Sequence, residues 1–141
     1  MKYLLDTCVI SELVKRNPNR NVVKWISNIS EEYMFLSVFT FAELHKGVEK
    51  LPKGKKRNQL HSWINEDLMQ RFEGKIIDFD LEIASTWGSV VAKAETTGKT
   101  LPLMDSLIAA TGLTYNLTVV TQNIKDMRNS GATLFNPWDN R

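Results

Sequence analysis

The hydrophobic residues of this chain fall into short continuous runs separated by longer amphipathic stretches, and that alternation limits the possible folds more than any other feature. Residues 3–5, 33–37, 75–79, 117–121 and 133–135 read as strands with no regular switch between apolar and polar positions. A strand that is apolar on both sides needs cover on both faces, which is the situation of a parallel sheet packed between helices. The intervening segments supply such helices. Residues 21–29 place Val22, Val23, Trp25, Ile26 and Ile29 on one face, and residues 40–51 place Phe41, Leu44, Val48 and Leu51 at intervals of three and four before Pro52 and Gly54 end the helix. A helix over 56–71 carries Leu60, Trp63, Ile64 and Leu68, while Asp80 caps a long helix reaching Thr97 and Gly98 stops it. A last helix is expected over 106–115, and the segment after Asp6 reads as a turn. The expected architecture is a three-layer α/β/α domain over residues 1–141 with a mainly parallel central sheet.

A chain of 141 residues is long enough for one hydrophobic core and too short for two ordinary domains. With 43% hydrophobic and 24% charged residues it lies in the range of globular proteins rather than disordered ones. The net charge of +2 is too small to announce nucleic-acid binding, so any charge argument must be local. The single cysteine, Cys8, has no partner for a disulfide, and no Cys/His spacing matches a zinc site, which agrees with a reducing cytoplasm. Asp6 interrupts the first apolar run far short of a signal-peptide core, and no segment approaches the roughly 20 apolar residues of a membrane span.

Ligands of parallel α/β sheets bind beyond the carboxyl ends of the strands, so the acids expected there carry the most information. Asp6 follows the first strand, Glu43 lies in the first turns after the second, Asp105 opens the helix before the fourth, and Asn123 and Asp126 follow the strand ending at Thr121. Alone, each could cap a helix or face solvent. Together, such carboxylates raise one another's pKa unless a cation compensates, and an oxygen-only donor set selects Mg²⁺ or Mn²⁺. Glu43 and Asp105 are also embedded among apolar neighbours, Phe41, Ala42 and Leu44 for one and Met104, Leu107 and Ile108 for the other, where a merely solvated carboxylate is uncommon.

Four stretches in order, Leu4 to Glu12, Leu36 to Leu44, Asp105 to Thr111 and Val120 to Asn123, resemble the PIN-domain ribonucleases, specifically the toxin branch similar to VapC and FitB. The ending Phe135-Asn136-Pro137-Trp138 is similar to the FitB-type tail. The resemblance implies a metal-dependent endoribonuclease of a type II toxin-antitoxin system, with Mg²⁺, or Mn²⁺, held by Asp6, Glu43 and Asp105 and with Thr7 hydrogen-bonding in the first turn. It further implies an RNA substrate, a cognate antitoxin, a homodimer, and contact with operator DNA only through the antitoxin. For the fourth position, Asn123 stands where similar proteins often have Asp, and Asp126 follows three residues later. Either residue, or both, completes the site.

Lys53, Lys55, Lys56 and Arg57 form the densest cationic run and are the RNA contacts expected from sequence, against the simpler reading of a solvated face. Trp25, Trp63 and Trp87 lie on apolar helical faces and are expected in core or dimer contacts. Cys8 reads as core filler, and His45 and His61 receive no role. Two other functions were weighed. A haloacid dehalogenase-type phosphatase needs a second Asp two positions after Asp6, where this chain has Cys8. A non-catalytic module would use the same acidic crevice to dock a basic peptide.

Overall fold

The computed structural model describes residues 1–139. Five strands form one parallel sheet in the order β3-β2-β1-β4-β5: β1 (Tyr3–Leu5), β2 (Met34–Ser37), β3 (Ile76–Ile77), β4 (Thr118–Val120) and β5 (Leu134–Phe135). The chain starts in the middle of the sheet, adds β2 and β3 on one side, and then crosses back to add β4 and β5 on the other. The switch point lies between β1 and β4, where open α/β sheets form a crevice. Leu4, Leu5, Leu36, Val119 and Val120 are fully buried, which explains why these strands lack polar alternation.

The helices are α1 (Thr7–Leu13), α2 (Arg20–Ser27), α3 (Val38–Glu49), α4 (Lys55–Ser62), α5 (Met69–Arg71), α6 (Leu81–Thr96), α7 (Leu103–Thr114) and α8 (Ile124–Met127). A π-helical stretch, Trp63–Leu68, joins α4 to α5, so the single helix expected over 56–71 is a composite. One expectation fails outright. The segment after Asp6 is not a turn but α1, entered directly from β1 with Asp6 as its N-cap, and its Val9 and Ile10 enter the core. On one face of the sheet, Leu5, Leu36 and Val120 pack with side chains of α1 to α4 and of the π-helical stretch, including Val22, Leu44 and Ile64. On the other, Leu4 and Val119 meet Ile108 of α7 and Met127 of α8. Asp80 caps α6 as expected, accepting from the Ile83 N–H at 2.8 Å, and Gly98 ends that region with φ +73°.

The tryptophans have structural duties. Trp25 meets the Tyr3 ring edge-on at 5.0 Å and Phe135 at 5.2 Å, tying α2 to both β1 and β5. Trp87 donates its indole N–H to Ser106 Oγ at 2.9 Å and pins the start of α7 against α6. Trp63 packs against the core on the α1 to α4 side.

Candidate active site

Asp6 sits where β1 becomes α1 and is 2% exposed. Its backbone N–H continues the sheet ladder by donating to Val120 O at 2.9 Å, which sets it beside the end of β4. Its Oδ1 accepts from the Thr7 N–H at 2.8 Å and its Oδ2 from Thr121 Oγ1 at 2.7 Å. The helix-cap reading of Asp6 is therefore correct, and it coexists with a place in the acidic cluster. Burial pushes the Asp6 carboxyl above its ordinary pKa, against the pull of these hydrogen bonds. Thr121 also accepts from the Asn123 N–H at 2.9 Å, so one hydroxyl fixes both Asp6 and the loop that bears Asn123.

Glu43 comes from α3, which starts immediately after β2 because Ser37 Oγ caps it by accepting from the Phe39 N–H at 3.0 Å. Thr7 Oγ1 donates to Glu43 Oε1 at 2.6 Å, and the buried Thr40 hydroxyl lies 3.4 Å from the same oxygen of Thr7. Asp105 projects from the first turn of α7, which begins at Leu103 and thus three residues before the expected start. Its carboxyl is pushed up to about 6, first by burial and then by the negative charges of Asp6, Asp126 and Glu43. Asp105 therefore feels the other three acids, although the end of β1, α3 and α8 deliver them from distant parts of the sequence.

Asp126 is exposed in the single turn of α8, and Asn123 stands at the N-terminus of that turn without a side-chain cap bond. The alternative in which Asp126 serves as a helix cap finds no support in its hydrogen bonding. Among the described residues no salt bridge involves Asp6, Glu43, Asp105 or Asp126, and no group of three His, Cys, Asp or Glu side chains is placed so that it could hold a metal ion. The donor chemistry nevertheless suits a hard divalent ion: every acid offers carboxylate oxygens, and their mutual repulsion is what such an ion relieves.

Cys8, expected as core filler, borders the site, with Sγ 3.7 Å from Asp6 Oδ2 and from Thr121 Oγ1. Burial and the charge of Asp6 push its thiol up to about 11, so it is no nucleophile. Of the sequence-nominated cations, Arg57 is engaged by Glu49, Lys55 lines a separate depression beside Asn58 and Trp63, and Lys53 and Lys56 are exposed. None of the four lines either groove that borders Glu43. The cations that do are Lys46 and Lys50, which line a groove with Glu43 and Met104. Their signal was the helical phase of α3, since they follow Glu43 by three and seven residues.

A parallel α/β/α sheet carrying acids at the ends of its central strands is the arrangement of one established family. The PIN domain model matches residues 3–129, and the chain belongs to that family. Among curated relatives it is 38% identical to Toxin FitB of Neisseria gonorrhoeae over 135 residues, covering 96% of this chain and 97% of the relative. It is 34% identical to VapC ribonuclease Y4jK of Sinorhizobium fredii, over 96% of this chain and 97% of that protein. The solved structure of FitAB bound to IR36 DNA fragment superposes with a TM-score of 0.93 at 36% identity, covering 99% of this chain and 97% of the other. The family, the fold and the nuclease class expected from sequence agree with these likenesses, and the phosphatase alternative does not.

Proposed function

We propose that the chain, as one nuclease domain over residues 1–141, is the toxin of a type II toxin-antitoxin pair and a metal-dependent endoribonuclease acting in the cytoplasm. The observation that carries this reading is that Asp6 and Glu43 are both held by Thr7 while the charges of Asp6, Glu43 and Asp126 reach Asp105. Asp6, Glu43, Asp105 and Asp126 would hold Mg²⁺ or Mn²⁺, with Asn123 available as a neutral oxygen donor. When bound, such an ion polarises a phosphodiester and lowers the pKa of a coordinated water. The chain's own residues orient the acids. Thr7 fixes one oxygen of Glu43, Thr121 and the Thr7 N–H fix Asp6, and Trp87 with Ser106 holds the start of the helix that bears Asp105.

FitB is named a toxin, and a relative at 34% identity is named a ribonuclease. FitAB is solved on DNA, which supports an antitoxin partner that carries this chain to operator DNA, and we propose the toxin itself as a homodimer. The acidic crevice also suits an Arg or Lys side chain from that partner, so the peptide-binding reading describes inhibition of the same site. No helix among the described residues is long and apolar enough to cross a membrane.

The direct test is RNA cleavage by the purified chain with Mg²⁺, with Mn²⁺ and with EDTA. Asp6→Asn keeps the helix cap and Asp105→Asn keeps the side-chain size, so both variants should fold, lose cleavage and cease to arrest growth. Full activity in both would sink the assignment of the acids.

A further inference from the structure

Gly47 lies in the last turn of α3, one turn beyond Glu43. Glycine inside a helix is unfavourable, and the usual reasons for keeping it are missing here. Its φ is not positive, and a Cβ built on it would meet nothing within 4 Å. Gly112 is the contrast within the same protein, because a Cβ there would come within 2.7 Å of Val119 Cγ2. The open space beside Gly47 is shared by two shallow grooves. One, of about 300 Å³, is lined by Glu43, Lys46, Gly47 and Lys50; the other, of about 180 Å³, is mostly apolar, with Leu44, Leu60, Trp63 and Ile64 among its walls beside Thr7, Glu43 and Gly47. Both grooves have Glu43 and Gly47 in their walls. Lys46 and Lys50 are exposed and, among the described residues, have no carboxylate partner.

We infer that a single RNA strand leaves Glu43 along the Lys46 and Lys50 groove, passing over α3 at Gly47, and that these two lysines hold phosphates adjacent to the one at the acids. The inference rests on the nuclease reading and adds the strand's path and the residues that bind it. An anionic backbone is favoured over a protein partner because the groove leaving the acids is flanked by cations free to meet phosphates. Gly47 lets the strand approach the backbone of α3, where any side chain would stand in its way.

The test is equilibrium binding of a fluorescent, sequence-randomised single-stranded oligoribonucleotide in EDTA, as a function of salt, with cleavage in Mg²⁺ measured separately. Lys46→Gln with Lys50→Gln should lower the salt slope by up to about 0.7 for each lost contact. The triple variant Lys53→Gln, Lys55→Gln, Lys56→Gln should keep the wild-type slope. Gly47→Gln, whose side chain has room to fold, should melt no lower than wild type yet bind RNA at least tenfold more weakly. Wild-type binding in both the lysine pair and Gly47→Gln overturns the path. So does a slope loss confined to the triple, or a Gly47→Gln that binds RNA normally but changes oligomeric state, which would make Gly47 a protein contact. Wild type that binds no RNA at low salt overturns it too. Failure of wild type to cleave in Mg²⁺ or Mn²⁺ counts instead against the nuclease reading.

Discussion

Asp105→Asn should make the metal-free protein more stable at neutral pH. The Asp105 carboxyl is raised from 3.8 to about 6 by burial and by three neighbouring negative charges. Between those two values the folded chain holds a proton that the unfolded chain has released. Folding is therefore favoured at the acid end of this window, and stability falls as the pH rises through it. A rise of that size corresponds to at most about 3 kcal/mol, and because Asp105 is only half-buried, screening by water reduces this to on the order of 1–2 kcal/mol. Asparagine has no charge to repel, so the variant should gain roughly that amount above pH 7 in EDTA and nothing near pH 4. Urea denaturation at a series of pH values measures both. Excess Mg²⁺ should raise wild-type stability at pH 7.5 and the variant's far less, since binding to the folded state adds stability by mass action. A variant that equals or falls below wild type at pH 7.5 in EDTA, with an unchanged pH slope, would refute the view that Asp105 sits in a crowded anionic site.

Three further outcomes are expected. Thr7→Val removes the hydroxyl that holds Glu43, so cleavage should drop tenfold or more, matching a hydrogen bond to a charged group of about 1.5–3 kcal/mol, and Thr7→Ser should restore most of it. Gly112→Ala should destabilise the fold by about 1–3 kcal/mol in thermal melts, because its Cβ collides with Val119 in β4 and the strand cannot yield freely. For the fourth position, Asp126→Ala should raise the Mg²⁺ concentration needed for half-maximal cleavage and Asn123→Asp should lower it. Identical metal titrations for wild type and Asp126→Ala would remove Asp126 from the site.

The parts of the fold legible in the sequence are those where one physical signal dominates. β1 and β4 are buried on both faces, and their unbroken apolar runs give them away. β3 is only Ile76–Ile77 rather than 75–79 because it pairs on one side alone, with β2, and a run of apolar residues does not report how many neighbours a strand will find. α1 escaped because it follows β1 without any loop, and Val9 and Ile10 prolong the apolar run of the strand. The nearness of Asp6, Glu43 and Asp126 to Asp105 was legible because parallel sheets gather residues at strand ends. The position of Lys46 and Lys50 beside Glu43 was not, since linear density draws attention to residues 53–57, whereas lining a groove with Glu43 depends on the rotation of α3. Cys8 lies beside Asp6 only because α1 turns back over the end of β4, an arrangement invisible without the helix.

The way the acids are held bears on what the site can bind. A cluster of carboxylates can be ordered by cationic side chains or by neutral donors, and the two choices have opposite consequences. Lys or Arg partners would fix the geometry and also cancel the charge, leaving little attraction for a divalent ion. This chain orders two of its acids, Asp6 and Glu43, with hydroxyls and a backbone amide. Thr7 of α1 bonds Glu43 of α3, Thr121 beyond β4 bonds Asp6 beyond β1, and the Thr7 N–H completes Asp6. Each side-chain bond joins two different elements, so position is transmitted from the sheet while the negative charge is retained. A neutral donor uses one lone pair of a carboxylate oxygen and leaves others free. Repulsion among the acids is thus preserved in the folded chain, where the buried strands beneath hold them together. The same unneutralised charge would attract a divalent metal ion or the basic side chain of an inhibiting partner, so the two compete for one crevice by the same electrostatics.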